Sequence, residues 1–275
     1  MPMNRSSLAA TVFAAAACLS VPALADGMPY RGSIKDAPIP VSAGPCYFRA
    51  DVGYSWSSNP DVRWTVTDPN PGPTQFQFVT DRVTGVSIDN SWFGEVGLGC
   101  GSGPRGIRGE LMYGYHGKRD ISGTPGPWNP GPPVTGDPLH TSVTTHTLMF
   151  NAYYDLGKWM DRFVPYVGAG VGVAFNRTDD VYFTGNPALV NRIEGDDRWS
   201  LAWSLMAGVG WQVTERVTLD LGYRYLDMGK AESGHIDTAG FWNPKVRLDD
   251  LTAHEFKVGL RFAFGGGTSC CAFMK

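Results

Sequence analysis

The sequence predicts an all-β protein, an eight-stranded antiparallel up-and-down barrel whose strands cross a membrane. Three observations predict it. Long stretches alternate strictly between apolar and polar or small residues, the period of two that a strand imposes on its two faces. These stretches run to about ten residues or more, beyond the five or six usual in a soluble sheet and near what a tilted strand needs to span a bilayer. The connections alternate between long Pro- and Gly-rich segments and short turns, as they do where long loops lie on one side of a membrane and tight turns on the other.

The first strand begins at Cys46, with Phe48, Ala50, Val52, Tyr54 and Trp56 on one face and Tyr47, Arg49, Asp51, Gly53 and Ser55 on the other. Ser57 to Asn90 carries Asn-Pro, Asp-Pro and Pro-Gly-Pro signals and reads as a long loop, with a short strand extension around Gln75 to Thr80. Ser91 to Gly101 is the second strand and Gly106 to His116 the third, joined by the tight Gly101-Ser102-Gly103-Pro104 turn. Gly117 to Thr141, rich in proline, is the next long loop. The fourth strand, Ser142 to Leu156, and the fifth, Phe163 to Phe175, flank a short turn, and Asn176 to Arg198 is the third long loop. Leu201 to Val213 and Val217 to Tyr225 form a hairpin around Thr214-Glu215-Arg216, the longest clean alternation in the chain. Gly229 to Asp250 is the fourth long loop, and Leu251 to Phe264 closes the set. With the apolar face outward, Tyr54, Trp56, Trp92, Tyr113, Tyr115, Trp203, Trp211, Tyr223, Tyr225, Phe262 and Phe264 fall at strand ends, where aromatic girdles mark the membrane interfaces.

Residues 1–25 read as a secretory signal, with Arg5 as the sole charge, an apolar run from Leu8 to Val21, and Ala23-Leu24-Ala25 before the cut. Cys18 after the four alanines Ala14 to Ala17 leaves a lipoprotein signal as the lesser alternative. Residues 26–45 read as a periplasmic arm and residues 265–275 as a periplasmic tail, so the barrel occupies residues 46–264. No later segment reaches the apolar length of a membrane helix. The formal charge of −3 becomes about −4 without Arg5, with no basic run, and this argues against nucleic acid as a partner. No metal-ligating spacing and no cofactor motif is present, and Gly168 to Gly172 lies within a strand rather than before a helix.

Facing inward are Arg49, Arg108, Arg224, Lys257 and Arg261 against Asp51, Glu95, Glu110, Asp155, Asp220 and Glu255. Five cations against six carboxylates is near balance, and unpaired buried charge is costly, so these groups are expected to pair. They form either a salt-bridge network that plugs the lumen or the lining of a polar conduit. Counting from the turns sets Arg224 level with Glu255 and Asp220 near Arg261. The inward glycines Gly168, Gly170, Gly172, Gly208 and Gly210 leave a void or admit Tyr47, Tyr153, Tyr166 and Met149 from the opposite wall. Cys46 and Cys100 share the outward face at the same end of adjacent strands and are candidates for a disulfide, with Cys270 and Cys271 as competitors. His140-Thr141-Ser142, with His146 nearby, is the nearest approach to a catalytic pair, and it lacks an evident orienting carboxylate, so no catalytic residue is assigned. Asp179-Asp180, Asp196-Asp197 and Asp249-Asp250 read as solvated loop charge, with cation binding as the lesser alternative.

Three stretches, Tyr47-Phe48-Arg49-Ala50-Asp51-Val52-Gly53-Tyr54, Pro165-Tyr166-Val167-Gly168-Ala169-Gly170-Val171-Gly172 and Leu221-Gly222-Tyr223-Arg224-Tyr225, resemble the OmpA/OmpX-like small outer-membrane barrels, in particular the porin-family surface proteins of α-proteobacteria. The resemblance implies a monomer in the outer membrane, embedded in lipid and lipopolysaccharide and inserted by the barrel-assembly machinery. It bears on architecture rather than activity, that family being functionally mixed, and the chain as a whole reads as a structural or surface protein rather than an enzyme. A small passive channel, and more remotely a lipid A-modifying enzyme, are the alternatives. The last strand ends at Phe264 like the assembly signal of such barrels, but eleven residues follow it where that family usually stops.

Overall fold

The computed structural model describes residues 45–67, 79–125, 138–183, 192–234 and 243–264, so the expected signal peptide, arm and tail, and Cys18, Cys270 and Cys271, lie outside the described residues. In chain order the strands are β1 (Cys46–Ser57), β2 (Asp61–Thr67), β3 (Val79–Ile88), β4 (Ser91–Gly101), β5 (Arg105–Pro125), β6 (Leu139–Leu156), β7 (Phe163–Thr178), β8 (Val181–Phe183), β9 (Arg192–Ile193), β10 (Asp197–Gln212), β11 (Val217–Asp227), β12 (Ala231–Glu232), β13 (Asn243–Asp249) and β14 (Thr252–Phe264). Eight of them, β1, β4, β5, β6, β7, β10, β11 and β14, close an antiparallel barrel, with β14 pairing back onto β1.

The expected alternation sets the faces. Along β1, Phe48, Val52 and Trp56 are exposed, whereas Tyr47, Arg49, Asp51 and Ser55 are buried. Aromatic rings gather at both rims of the apolar band. Tyr54 stands edge-on to Trp56 and Trp92, with centroids 4.8 and 5.1 Å apart, at the long-loop end. Phe48 packs on Phe264 at 4.5 Å near the short-turn end.

The long connections differ from expectation. The stretch taken as a loop from Ser57 to Asn90 contains β2 and β3, and β3 begins at Val79, so most of the expected Gln75–Thr80 extension lies outside the described residues. β5 does not stop at His116 but continues to Pro125, and β6 begins at Leu139. The third connection carries β8 and β9, and the fourth carries β12 and β13. These pieces join into an upper wall in which β13 pairs with β2, β2 with β3, and β3 with the far half of β5. At about 3.3 Å per residue a strand the length of β5 runs roughly 70 Å, more than twice the bilayer's apolar thickness.

Two effects hid this wall. A register shift between His116 and Arg119 puts both side chains inside and breaks the alternation of β5. Beyond the girdle the phase also inverts, so that apolar residues face inward. Val62, Val83, Ile121, Leu139, Val143, Val181, Ile193, Val246 and Leu248 belong to one buried cluster, joined by Leu226, Met228 and Leu251.

Candidate functional site: the barrel interior

Within the membrane band the interior is ionic. Ten of the eleven expected inward charges are buried and the eleventh, Arg261, is mostly so. They are not scattered pairs. Asp155 pairs with Arg108 at 3.0 Å, Arg108 with Glu110 at 2.5 Å, Glu110 with Arg49 at 2.9 Å, and Arg49 with Asp51 at 2.8 Å. Lys257 continues the chain between Asp51 at 2.9 Å and Glu95 at 3.3 Å. Arg224 bridges Glu95 and Glu255, each at 2.6 Å, and Glu255 ends on His116 at 3.0 Å. Arg224 donates from Nε directly to Glu255; its approach to Glu95 is off-axis, so that contact is an ion pair rather than a directed hydrogen bond. The chain thus crosses from β6 through β5 and β1 to β14, β4 and β11, tying walls that share no backbone ladder. Asp220 and Arg261 form a separate pair at 2.5 Å nearer the short-turn end.

Register explains who meets whom. Arg224 and Glu255 are directly opposite across β11 and β14. Asp220 is opposite Gly259, so Arg261 reaches it diagonally. Rings insulate the guanidinium groups. Arg108 lies 3.9 Å from the Tyr153 centroid and 4.7 Å from that of Tyr166, and the Tyr47 hydroxyl donates to Glu110 at 2.7 Å.

Large side chains lie over the glycine rows. Tyr153 is directly opposite Gly168, Met149 opposite Gly172, Tyr166 opposite Gly208 and Tyr47 opposite Gly99. A Cβ on Gly168 would come within 2.5 Å of the Tyr153 ring, and one on Gly208 within 2.5 Å of the Tyr166 hydroxyl. The large side chains therefore lie over glycines of the neighbouring strand, not of the opposite wall as expected; the missing Cβ gives each ring a flat seat.

Two interior residues escaped the sequence. His116 stacks on Phe93 at 5.2 Å while its Nε2 meets Glu255. Extending the Arg108/Glu110/Met112/Gly114 phase by one step would have found it. Arg119, fully buried beyond the register shift, donates to Thr145 Oγ1 at 2.7 Å, and Thr145 donates in turn to Asn176. No alternation could have found Arg119. It completes the balance, for with Arg119 the described interior holds six Lys and Arg side chains and six carboxylates.

Elsewhere, Cys46 and Cys100 are direct cross-strand partners joined by a disulfide, with Cα atoms 4.0 Å apart. The Ser142 hydroxyl donates to Asp179 at 2.8 Å, and the His146 ring takes the Tyr113 hydroxyl at 2.8 Å, so neither histidine of the His140-Thr141-Ser142 neighbourhood holds the serine. Of the loop aspartates, Asp179 pairs with Lys118, Asp197 with Arg177, and Asp249 with Lys230 and Arg247.

Residues 11–264 match the family model described as outer membrane protein beta-barrel domain. An uncharacterized protein of Brucella suis biovar 1 is 28% identical over 82% of this chain and 87% of its own length. The outer membrane protein PagN of Salmonella typhimurium is 31% identical over 47% of this chain and 55% of its own length. Among solved structures, the outer membrane protein OprG from Pseudomonas aeruginosa superposes with a TM-score of 0.50 at 17% identity, over 82% of this chain and all of OprG.

Proposed function

The chain belongs to the outer membrane protein β-barrel family, and from that premise we propose that it is a monomeric structural and surface protein of the Gram-negative outer membrane with a sealed lumen. The observation that carries this reading is the unbroken run of ion pairs from Asp155 to His116, with the apolar cluster of Val62, Ile121, Val143 and Leu248 stacked above it. An ion entering from either side would have to displace bound counter-charges or cross a packed hydrocarbon layer, and each step costs several kcal/mol. In this reading residues 1–25 are the cleaved export signal, the short turns face the periplasm, the barrel is inserted by the assembly machinery, and lipid and lipopolysaccharide cover the apolar band.

Planar-bilayer recording tests the seal. The protein is expected to give no conductance steps above baseline. Steps whose size or ion selectivity changes in Arg224→Met or Glu255→Gln would assign the ionic chain to a conduction path and favour the small passive channel instead. The lipid A-modifying alternative predicts an altered lipid A mass spectrum on overexpression; here the spectrum is expected to stay unchanged.

A further inference from the structure

The outer face of the upper wall carries a row of cations that sealing the lumen does not require. Arg247 on β13 is directly opposite Arg63 on β2, and Arg63 is directly opposite Arg82 on β3. Their side chains are 43, 41 and 72% exposed, whereas Val62, Val83 and Leu248 beside them are buried in the apolar cluster. Like charges placed directly opposite destabilise a sheet, and here acids on the same face offset part of that cost: Arg63 and Arg82 share Asp61 at 2.9 and 4.0 Å, and Arg247 reaches Asp249 at 3.0 Å and Glu232 at 3.7 Å. Arg198, Lys230 and Lys245 flank the row and lean on Glu232 and Asp249. Those two carboxylates are only 11 and 15% exposed. With Asp61, which is 34% exposed, three acids face six cations, two of the three acids recessed beneath them. In a chain of net charge −3 this is a local reversal of sign.

We infer that this row binds the phosphate groups of the glycolipid packed around the barrel, the phosphorylated core sugars of lipopolysaccharide; the inference rests on the outer-membrane reading above. Position argues for that source. The row lies on the side wall rather than at a loop tip, and Arg63 follows the girdle residue Trp56 by seven residues, at most about 23 Å of extended chain. That is past the interface marked by the aromatic belt and level with headgroup sugars rather than acyl chains. Geometry argues for phosphate. The strands that carry the three arginines repeat at about 4.8 Å, and each guanidinium offers paired N–H donors that match phosphate oxygens.

The test uses the refolded full chain in lipid nanodiscs. Binding of rough-type lipopolysaccharide is compared with the same material stripped of phosphate by hydrofluoric acid, and with a heparin fragment of defined length. The phosphorylated form is expected to bind at least about tenfold more tightly than the stripped one. Arg63→Gln/Arg82→Gln/Arg247→Gln is expected to remove most of that difference and flatten the salt dependence. Arg82→Gln alone, at the most exposed position, should remove part of it without touching the Glu232 and Asp249 contacts. Lys118→Gln, on β5 outside the row and paired with Asp179, should leave binding unchanged. Equal binding of the two lipopolysaccharide forms, or an unaltered triple variant, would overturn the inference; preference for heparin would assign the row to an external polyanion. Heat-shifted electrophoretic mobility and bilayer conductance do not depend on these arginines, so a failure here leaves the sealed-barrel proposal standing.

Discussion

Arg224→Met is the sharpest perturbation of the interior. Its guanidinium lies 2.6 Å from both Glu95 and Glu255, and all three side chains are fully buried. Removing it leaves six buried carboxylates against five cations, with Glu95 held only by Lys257 and Glu255 only by His116. Breaking a buried pair from one side costs about 3–5 kcal/mol because the remaining charge is stranded. At a slope of about 2–3 kcal/mol per molar urea, the unfolding midpoint in phospholipid vesicles should fall by about 1–2.5 M. Arg224→Met/Glu255→Gln restores the balance at five and five and leaves Glu95 with Lys257. It should recover about 2 kcal/mol or more of the loss, since contacting residues couple strongly in double-mutant cycles. Tryptophan fluorescence against urea, with electrophoretic mobility as a check on folding, reads all three proteins. A single variant within about 1 kcal/mol of wild type, or a double variant no better than the single, would show that the chain is solvated and not a sealed network.

Three further outcomes follow from the same geometry. The Cys46–Cys100 bridge closes a loop with a sequence separation of 54, so reduction should lower stability by about 4 kcal/mol on the chain-entropy estimate; peptide mapping that finds both thiols free in oxidised protein would refute the bridge. In the upper wall, burial raises the Glu232 carboxyl, but the Lys245 ammonium and the Arg198 and Arg247 guanidinium groups outweigh it and hold it below the usual carboxylate range. Its contribution is therefore complete above the ordinary glutamate value of 4.5 and is lost as the pH falls through the lower folded value; protease sensitivity of the upper strands should rise in acid, and Glu232→Gln should shrink that rise, with Asp249, also held low by Lys230 and Arg247, carrying the remainder. Gly208→Val drives a side chain into the Tyr166 hydroxyl and the Leu221 carbonyl, and should cost about 1–3 kcal/mol by urea titration, partly relieved by Tyr166→Phe.

The membrane half of the fold was legible because a single demand acts on eight strands at once: apolar side chains toward lipid, everything else inward. Phe48/Arg49, Val96/Glu95, Tyr223/Arg224 and Phe256/Glu255 each state it within two residues. The inward charges were legible as a set for the same reason. The order of their pairing was not, because contacts such as Lys257 with Glu95 join β14 to β4 across β1 and depend on shear that no local pattern encodes. Arg119 was hidden by a single extra residue, the irregularity after His116 that resets which face is inside.

The upper wall reads as loop in the sequence for a different reason, and the cause bears on what fills the interior. Each strand can afford one apolar face. Two apolar faces over ten residues would make a continuous hydrophobic run, whereas one apolar and one polar face keep the segment only half hydrophobic. Within the bilayer the apolar face must meet lipid, which leaves ionic groups to fill the interior, as Arg49, Glu110 and Lys257 do. Above the girdle water covers the outside, and the same single apolar face is free to turn inward. There Val62, Val246 and Leu248 fill the interior while Arg63, Lys245 and Arg247 face outward. The inversion thus locates the membrane boundary on each strand, between Tyr115 outward and Ile121 inward on β5 and between Leu148 outward and Val143 inward on β6. An ionic lower interior and an apolar upper interior are then two consequences of one rule applied on either side of that boundary.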